Sequence, residues 1–486
     1  MGQAPSLPDD AVSDVLRRLA PRDIAASRRV CKSLRRVVDG RRLLRADLLP
    51  LSLGGIFLNH FQLRSATQFL SRPTTAAAVS GRLDYTLDAC HPDNHFVPAP
   101  YVLDHCNGLL LLRHCVANPA MQQWAPLPPD PALPQPPPPG MDFIIHLVFD
   151  PILSPNHFDL FIMPQVPFQL DPDAECEPVE WPPSAFILSV FSSKIGSWEN
   201  RTFDREGEAA GTMPGMDPEI RRSCNERQSA YWRGSLYICC SNCFVMRLSL
   251  SDNRYQVIKL PPPIFSKHGS RDRQQFYLGK STKGIYCASV FSLYRSLLHV
   301  WFLNDLNEWV LKHDMDIFPI LPNLDYGNRC DGPWILQQFD YHKHSDEDDS
   351  VVEDNREAIV EKEKSEAIVK QGKFEWDSDN DNVLEPGGRC ETTDINFIGF
   401  HPFKEVVLLS LWNRVLAYHW SSSKLFPDLG QLFIHSLRSV SGAFELGRVV
   451  CLQVECLVTL LLWCGCCLCE EGLFPLRCWL VKLEIS

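Results

Sequence analysis

The apolar rhythm of the chain changes near residue 50. In LPDDAVSDVLRRLAPRDIAASRRVCKSLRRVV, from Leu7 to Val38, Val12, Val15, Leu16 and Leu19 recur at the spacing of one helix stripe. Asp9 and Asp10 stand where a helix start favours carboxylates, and Pro21 closes the segment. Asp23 can cap a second segment, on which Ile24, Ser27, Val30, Cys31, Leu34 and Val38 share a face and Arg28, Arg29, Lys32, Arg35 and Arg36 cover the rest. Two helices this short bury too little surface to stand alone, so their apolar stripes are expected to dock on the chain's own body or on a partner.

After about Leu53 the rhythm becomes strand-like. Five stretches share one plan of strand, polar turn and second strand, the second usually opened by an aromatic: LLLLRHCVANPAMQQWAPLP, AFILSVFSSKIGSWENRTF, FVMRLSLSDNRYQVIKLP, LLHVWFLNDLNEWVLKHD and RVLAYHWSSSKLFPDLG. In the third, Phe244, Met246, Leu248 and Leu250 take one face, and Val245, Arg247 and Ser249 the other. The turns carry Asn, Asp, Ser and Gly, as hairpins require. Further strands, GSLYICC, KGIYCASV and KEVVLLSL, accompany several hairpins. The opening aromatics Trp124, Trp198, Tyr255 and Trp309 are 74, 57 and 54 residues apart, which suggests a recurring multi-strand unit of the propeller-blade kind. A β-sandwich also fits this pattern.

Composition narrows the function classes. The 486 residues allow more than one domain, and 38 prolines favour short elements joined by ordered loops. Of the net charge of −12, the stretch from His344 to Glu385 carries −10, from 15 acidic and 5 basic residues. The remainder is near neutral and offers no field for nucleic acid. MGQAPSLPDD has neither a basic nor an apolar leader region, so the 19 cysteines are expected to be mostly buried free thiols. Residues 126–140, rich in proline, and 344–385 read as loop insertions, the second with room for a helix at EAIVEKEKSEAIVK. Val449 to Cys469 approaches the length of a membrane helix, yet Glu455 and its β-branched residues suit a strand as well.

Candidate chemistry is sparse. GKST at Gly279 to Thr282 lacks the earlier glycine of a phosphate loop, Gln274 standing there instead. DSDNDN at Asp377 to Asn382 begins like a calcium loop, but Asn382 and Gly388 occupy the positions that need glycine and glutamate. Cys240 and Cys243, with Cys239, have half the spacing of a zinc site and no second half. Cys464, Cys466, Cys467 and Cys469 have no histidine after them, and Gly2 fits a short acylation pattern. No catalytic constellation stands out, and neither a metal nor a cofactor is expected.

The opening segment resembles an F-box, through Leu7-Pro8, Val12, Val15-Leu16, Leu19, Pro21 and the run Arg29-Val30-Cys31-Lys32. Leu34 stands where a tryptophan is usual, keeping an apolar knob but less area. The body is similar to a large family of plant F-box proteins, chiefly from grasses, through CNGLLLL, SVFSSKIGSWENRTF, AYWRGSLY, YLGKSTKGIYCA, EWVLKHD, WDSDNDN, IGFHPFKEVV and LAYHWSSSKL. The likeness runs from about Leu7 to Gly430 and stops after about Leu437. It implies a multidomain α plus all-β chain: a helical F-box over 1–50, a kelch-like β-propeller over 51–442, and a divergent cysteine-rich tail over 443–486.

It further implies a non-catalytic, cytoplasmic or nuclear subunit of an SCF-type ubiquitin ligase. Such a subunit binds a Skp-type adaptor, through it a cullin–RING ligase, and a protein substrate. The adaptor contacts it implies are Leu7, Pro8, Val12, Val15, Leu16, Leu19, Pro21, Ile24, Val30 and Leu34. A propeller protein outside any ligase, or a tail-anchored membrane protein, are the rival expectations.

Overall fold

The computed structural model describes residues 8–19, 24, 27, 30–41 and 43, and in the body 52–59, 67–72, 81–86, 100–129, 143–151, 153–154, 156–164, 180–212, 228–240, 244–261, 275–291, 297–321, 334–337, 395–411, 414–431 and 449–454. Two helices come first, α1 (Asp9–Leu16) and α2 (Lys32–Gly40). Strands follow: β1 (Ser52–Leu58), β2 (Gln68–Ser71), β3 (Val102–Cys106), β4 (Leu109–Leu112), β5 (Cys115–Asn118), β6 (Gln123–Pro126), β7 (Phe143–Phe149), β8 (Phe158–Pro164), β9 (Glu180–Trp181), β10 (Ala185–Ser192), β11 (Ser197–Glu206), β12 (Gly211–Thr212) and β13 (Ser229–Trp232). The rest are β14 (Ser235–Cys240), β15 (Phe244–Ser249), β16 (Arg254–Lys259), β17 (Gln275–Ser281), β18 (Gly284–Phe291), β19 (Leu297–Leu303), β20 (Trp309–Asp316), β21 (Ile335–Gln337), β22 (Ile395–Phe400), β23 (Val406–Leu411), β24 (Arg414–His419), β25 (Lys424–Gln431) and β26 (Val449–Val454). All five hairpins and the three extra strands read from the sequence are present.

The strands form a ring of blades. Three meanders stand as four-stranded sheets: β3 to β6, β17 to β20 and β22 to β25. An eight-stranded sheet is two further meanders, β7-β8-β10-β11 and β13 to β16, joined where β11 and β16 run parallel over three residue pairs. The sixth unit, in the order β21-β2-β1-β26, is assembled from distant parts of the chain. The innermost strands of successive units, each the first of its unit except β26 of the sixth, touch in a closed circle, β3, β7, β13, β17, β22, β26 and back to β3. That circle is a propeller, not a sandwich.

Blade stacking explains why runs such as LLLL carry no polar positions. A strand clamped between two blades is covered on both faces, so both alternating sets must be apolar. Leu109 and Leu111 of β4 enter the cluster shared with Leu147, Phe161 and Phe203, while Leu110 and Leu112 meet Phe57 and Phe69 of the preceding blade. In β23, Val406 and Leu408 face Ile56 and Leu70, whereas Val407, Leu409 and Leu411 face Tyr286 and Val300. Phe244, Met246 and Leu248 likewise separate from Val245, which packs with Leu278 and Ile285. Both faces of the repeating unit are therefore core.

The recurring aromatics tie blades together through their polar tips. Trp198 Nε1 donates to the Pro129 carbonyl (3.0 Å), Trp309 Nε1 to the Lys259 carbonyl (2.8 Å), and the Tyr255 hydroxyl to the Pro183 carbonyl. The two-residue turn between β3 and β4 places Asn107 at φ 45° and Gly108 at φ 89°, the twisted hairpin turn that asparagine and glycine favour.

Closure uses a strand past residue 442. β26 pairs antiparallel with β1, from Ser52 opposite Val454 to Leu58 opposite Val449. The run weighed as a membrane helix thus begins as strand, and among the described residues no helix is long and apolar enough to cross a membrane. Most of the proline-rich insertion, the acidic insertion with its helix, Gly2 and the tail beyond 454 lie outside the described residues. In the closing blade the Phe69 ring occupies the space over two glycines. A Cβ at Gly81 would fall 2.2 Å from Phe69 Cβ, an atom that cannot swing away. Gly81→Ala is therefore expected to destabilise the body by about 1–3 kcal/mol in urea titration, the usual cost of overpacking.

Candidate adaptor surface and central polar cluster

The two N-terminal helices close a small core of their own. Leu16, Ile24, Val37, Val38 and Leu43 are buried together, Val12 and Leu34 pack against them, and among the described residues the cluster draws none from the strand-rich body. Among the described residues, ion pairs of Arg36 with Asp9 (3.4 Å) and of Arg41, just past α2, with Asp10 hold the two helices together. Both are exposed and contribute orientation more than stability. Asp9 and Asp10 also sit in the first turn of α1, where they complement the helix dipole.

The predicted contact residues accordingly divide. Leu16 and Ile24 are interior, and Val12 and Leu34 are half-buried. Val15, Leu19 and Val30 are 62%, 38% and 74% exposed, and Pro8 is exposed ahead of α1. Leu7 and Pro21 lie outside the described residues. The division follows from helix geometry. Residues four apart share a face, so Val12 and Leu16 point inward while Val15 faces outward, and Leu19, in the turn that follows α1, is exposed as well. Spacing alone merged the two sets. Val37, Val38 and Leu43, absent from the predicted contacts, complete the inner set.

In the body, a polar cluster occupies the ring of innermost strands. Asp104 of β3 is fully buried and accepts from the Leu147 amide of β7 (2.9 Å) and the Ser229 hydroxyl of β13 (3.2 Å). His146, 1% exposed, places Nδ1 3.6 Å from the same carboxylate oxygen. Asn107 donates to the Phe149 carbonyl (2.7 Å), and the Tyr231 hydroxyl to Asp150 (3.0 Å). Lys280 of β17 donates to Asn107 although β3 and β17 stand three places apart in the circle, so this bond spans the central axis. The only signal of this cluster in the sequence is an aspartate at the inward position of VLDHC. Without the fold it reads as a turn residue.

The other chemical candidates resolve into structure. GKST is the end of β17 and its turn, and the Ser281 hydroxyl donates to the His401 carbonyl (2.8 Å) of the next blade. Cys239 and Cys240 are buried in β14, as are Cys106, Cys115 and Cys287 in other strands. Burial pushes the Cys106 thiol up to about 12, and Cys287 higher still, so neither thiolate forms readily. Among the described residues no group of three or more His, Cys, Asp or Glu is placed to hold a metal ion. Cys243 and DSDNDN lie outside them.

No curated protein matches the chain. Among solved structures it is similar to "YCF48 bound to D1 peptide", at 7% identity over 78% of this chain and 83% of that one, with a TM-score of 0.30. It is also similar to AztD of Citrobacter koseri, at 9% identity over 78% and 96%, with a TM-score of 0.28. Neither likeness adds to what the strands themselves establish. Residues 5–46 match the family model of the F-box domain, the module that binds Skp-type adaptors in SCF complexes, so the chain carries an F-box domain followed by a β-propeller-like fold.

Proposed function

We propose that this chain is a substrate-recognition subunit of an SCF-type ubiquitin ligase, acting in the cytoplasm or nucleus, with a kelch-type propeller like those of plant F-box proteins. One observation carries the reading most directly: the F-box has closed its own core and still holds Val15, Leu19 and Val30 outward. Apolar side chains left in water on a folded unit favour a second protein, and covering each adds about 1.5–3 kcal/mol. The propeller holds the substrate, and the F-box fixes the assembly to the ligase. Ubiquitin transfer gains from effective concentration, with no reacting group supplied by this chain.

Val15→Asp with Leu19→Asp is expected to weaken capture of a purified Skp-type adaptor about a hundredfold, with the helical signal retained. Leu16→Asp instead places a charge in the F-box core and should lose helix and capture together. Undiminished capture by the Val15/Leu19 variant would sink the proposal.

A further inference from the structure

The outer strands β11 and β16 pair only from Asp204–Arg254 to Glu206–Gln256. Where that ladder stops, a groove of about 550 Å³ opens, walled by residues 206–209, 256–261 and 306–309. Its backbone is set to receive a strand. The Asn253 carbonyl accepts from the Asp204 amide (3.0 Å) and the Lys259 carbonyl from Trp309 Nε1 (2.8 Å), both on the side of β16 away from β15. Alternate strand residues aim their amides and carbonyls to the same side, so the Val257 carbonyl and the Lys259 amide point into the groove.

The walls add charge and apolar surface. Glu208 and Glu308 are exposed there and outnumber the one ammonium of the lining, Lys259, while Glu206 is already paired with Arg254 (2.5 Å) and Gln256 (2.8 Å). Leu306, at the tip of the β19–β20 turn, is 77% exposed, and Trp309 lies half-buried beside it. We infer that this groove takes an extended segment of the ubiquitination substrate, basic at alternate positions and apolar between them, added as a strand to the open side of β16. The backbone supplies affinity, and the carboxylates and Leu306 supply selection. The inference rests on the recognition role proposed above.

The test is fluorescence anisotropy of the full chain with a labelled peptide of alternating lysine and valine, its glutamate–valine counterpart, and a lysine–valine peptide N-methylated on one edge. Only the unmethylated lysine peptide should bind. Glu208→Lys with Glu308→Lys should weaken it about tenfold, and Leu306→Asp about fivefold. Glu199→Lys, a charge reversal on β11 away from the groove, should change affinity less than about twofold. Failure of the lysine peptide to bind, or equal loss in the Glu199 and Glu208/Glu308 variants, overturns the inference. Adaptor capture by the Glu208/Glu308 variant should match that of the parent. A parent that binds the peptide but captures no adaptor would overturn the ligase reading and leave the groove standing.

Discussion

Replacing Asp104 by alanine is expected to lower the unfolding free energy of the propeller by about 3–5 kcal/mol, the cost of removing one partner from a buried polar cluster. The side chain is fully buried and belongs to the first strand of one blade, yet its acceptors serve the first strands of the next two. Alanine would strand the buried Leu147 amide, the half-buried Ser229 hydroxyl and the His105 amide, and each orphaned donor carries its own desolvation penalty. Asp104→Asn, with its oxygen in the Oδ2 place, keeps an acceptor for Leu147 and Ser229 but sets its NH2 against the His105 amide, so it should recover only part of the loss. The check is urea unfolding followed by tryptophan fluorescence, comparing midpoints at unchanged slope. A loss under about 1 kcal/mol for alanine would show that the blades hold register through apolar packing alone.

The distinction between blade packing and axial polar bonding also marks how far the sequence could be read. Strand positions were legible because turn chemistry is local. Asn107-Gly108 and Asn253 announce their turns from neighbouring residues, and the two strands beside each turn follow. The propeller itself was legible only in outline. Its decisive feature, that Leu109 and Leu110 belong to different inter-blade cores, depends on partners more than 30 residues away. Closure was less legible still, because β26 pairs with β1 across almost the whole chain and the apolar run it opens suits helix and strand alike. At the F-box, periodicity located the stripe but could not separate its inward from its outward half. That division is set by the crossing of α1 and α2, where Val37 and Val38 cover Leu16 and leave Val15 bare.

Acid should loosen the same ring from the blade opposite β7. His401, 2% exposed, follows β22; its Nδ1 accepts from the Phe403 amide (3.1 Å) and its carbonyl receives the Ser281 hydroxyl. Burial, reinforced by the positive charges of Lys404 and Arg72 and by His419, pushes its pKa down to about 3. The unfolded chain takes up this proton near pH 6.5, whereas the folded chain refuses it until about pH 3. Between those values the unfolded state binds more protons, so stability falls as pH falls. The loss from this residue should reach about 2 kcal/mol at pH 5 and about 4–5 kcal/mol near pH 3. His299 and His313, also lowered by burial, act in the same direction. His401→Asn preserves an acceptor for the Phe403 amide and cannot titrate. Its stability at pH 7 should fall modestly through lost ring packing, but the gap to the parent should narrow by about 2 kcal/mol between pH 7 and pH 5. Urea midpoints across that range decide it: parallel curves for parent and variant would mean that His401 accepts its proton in the folded protein.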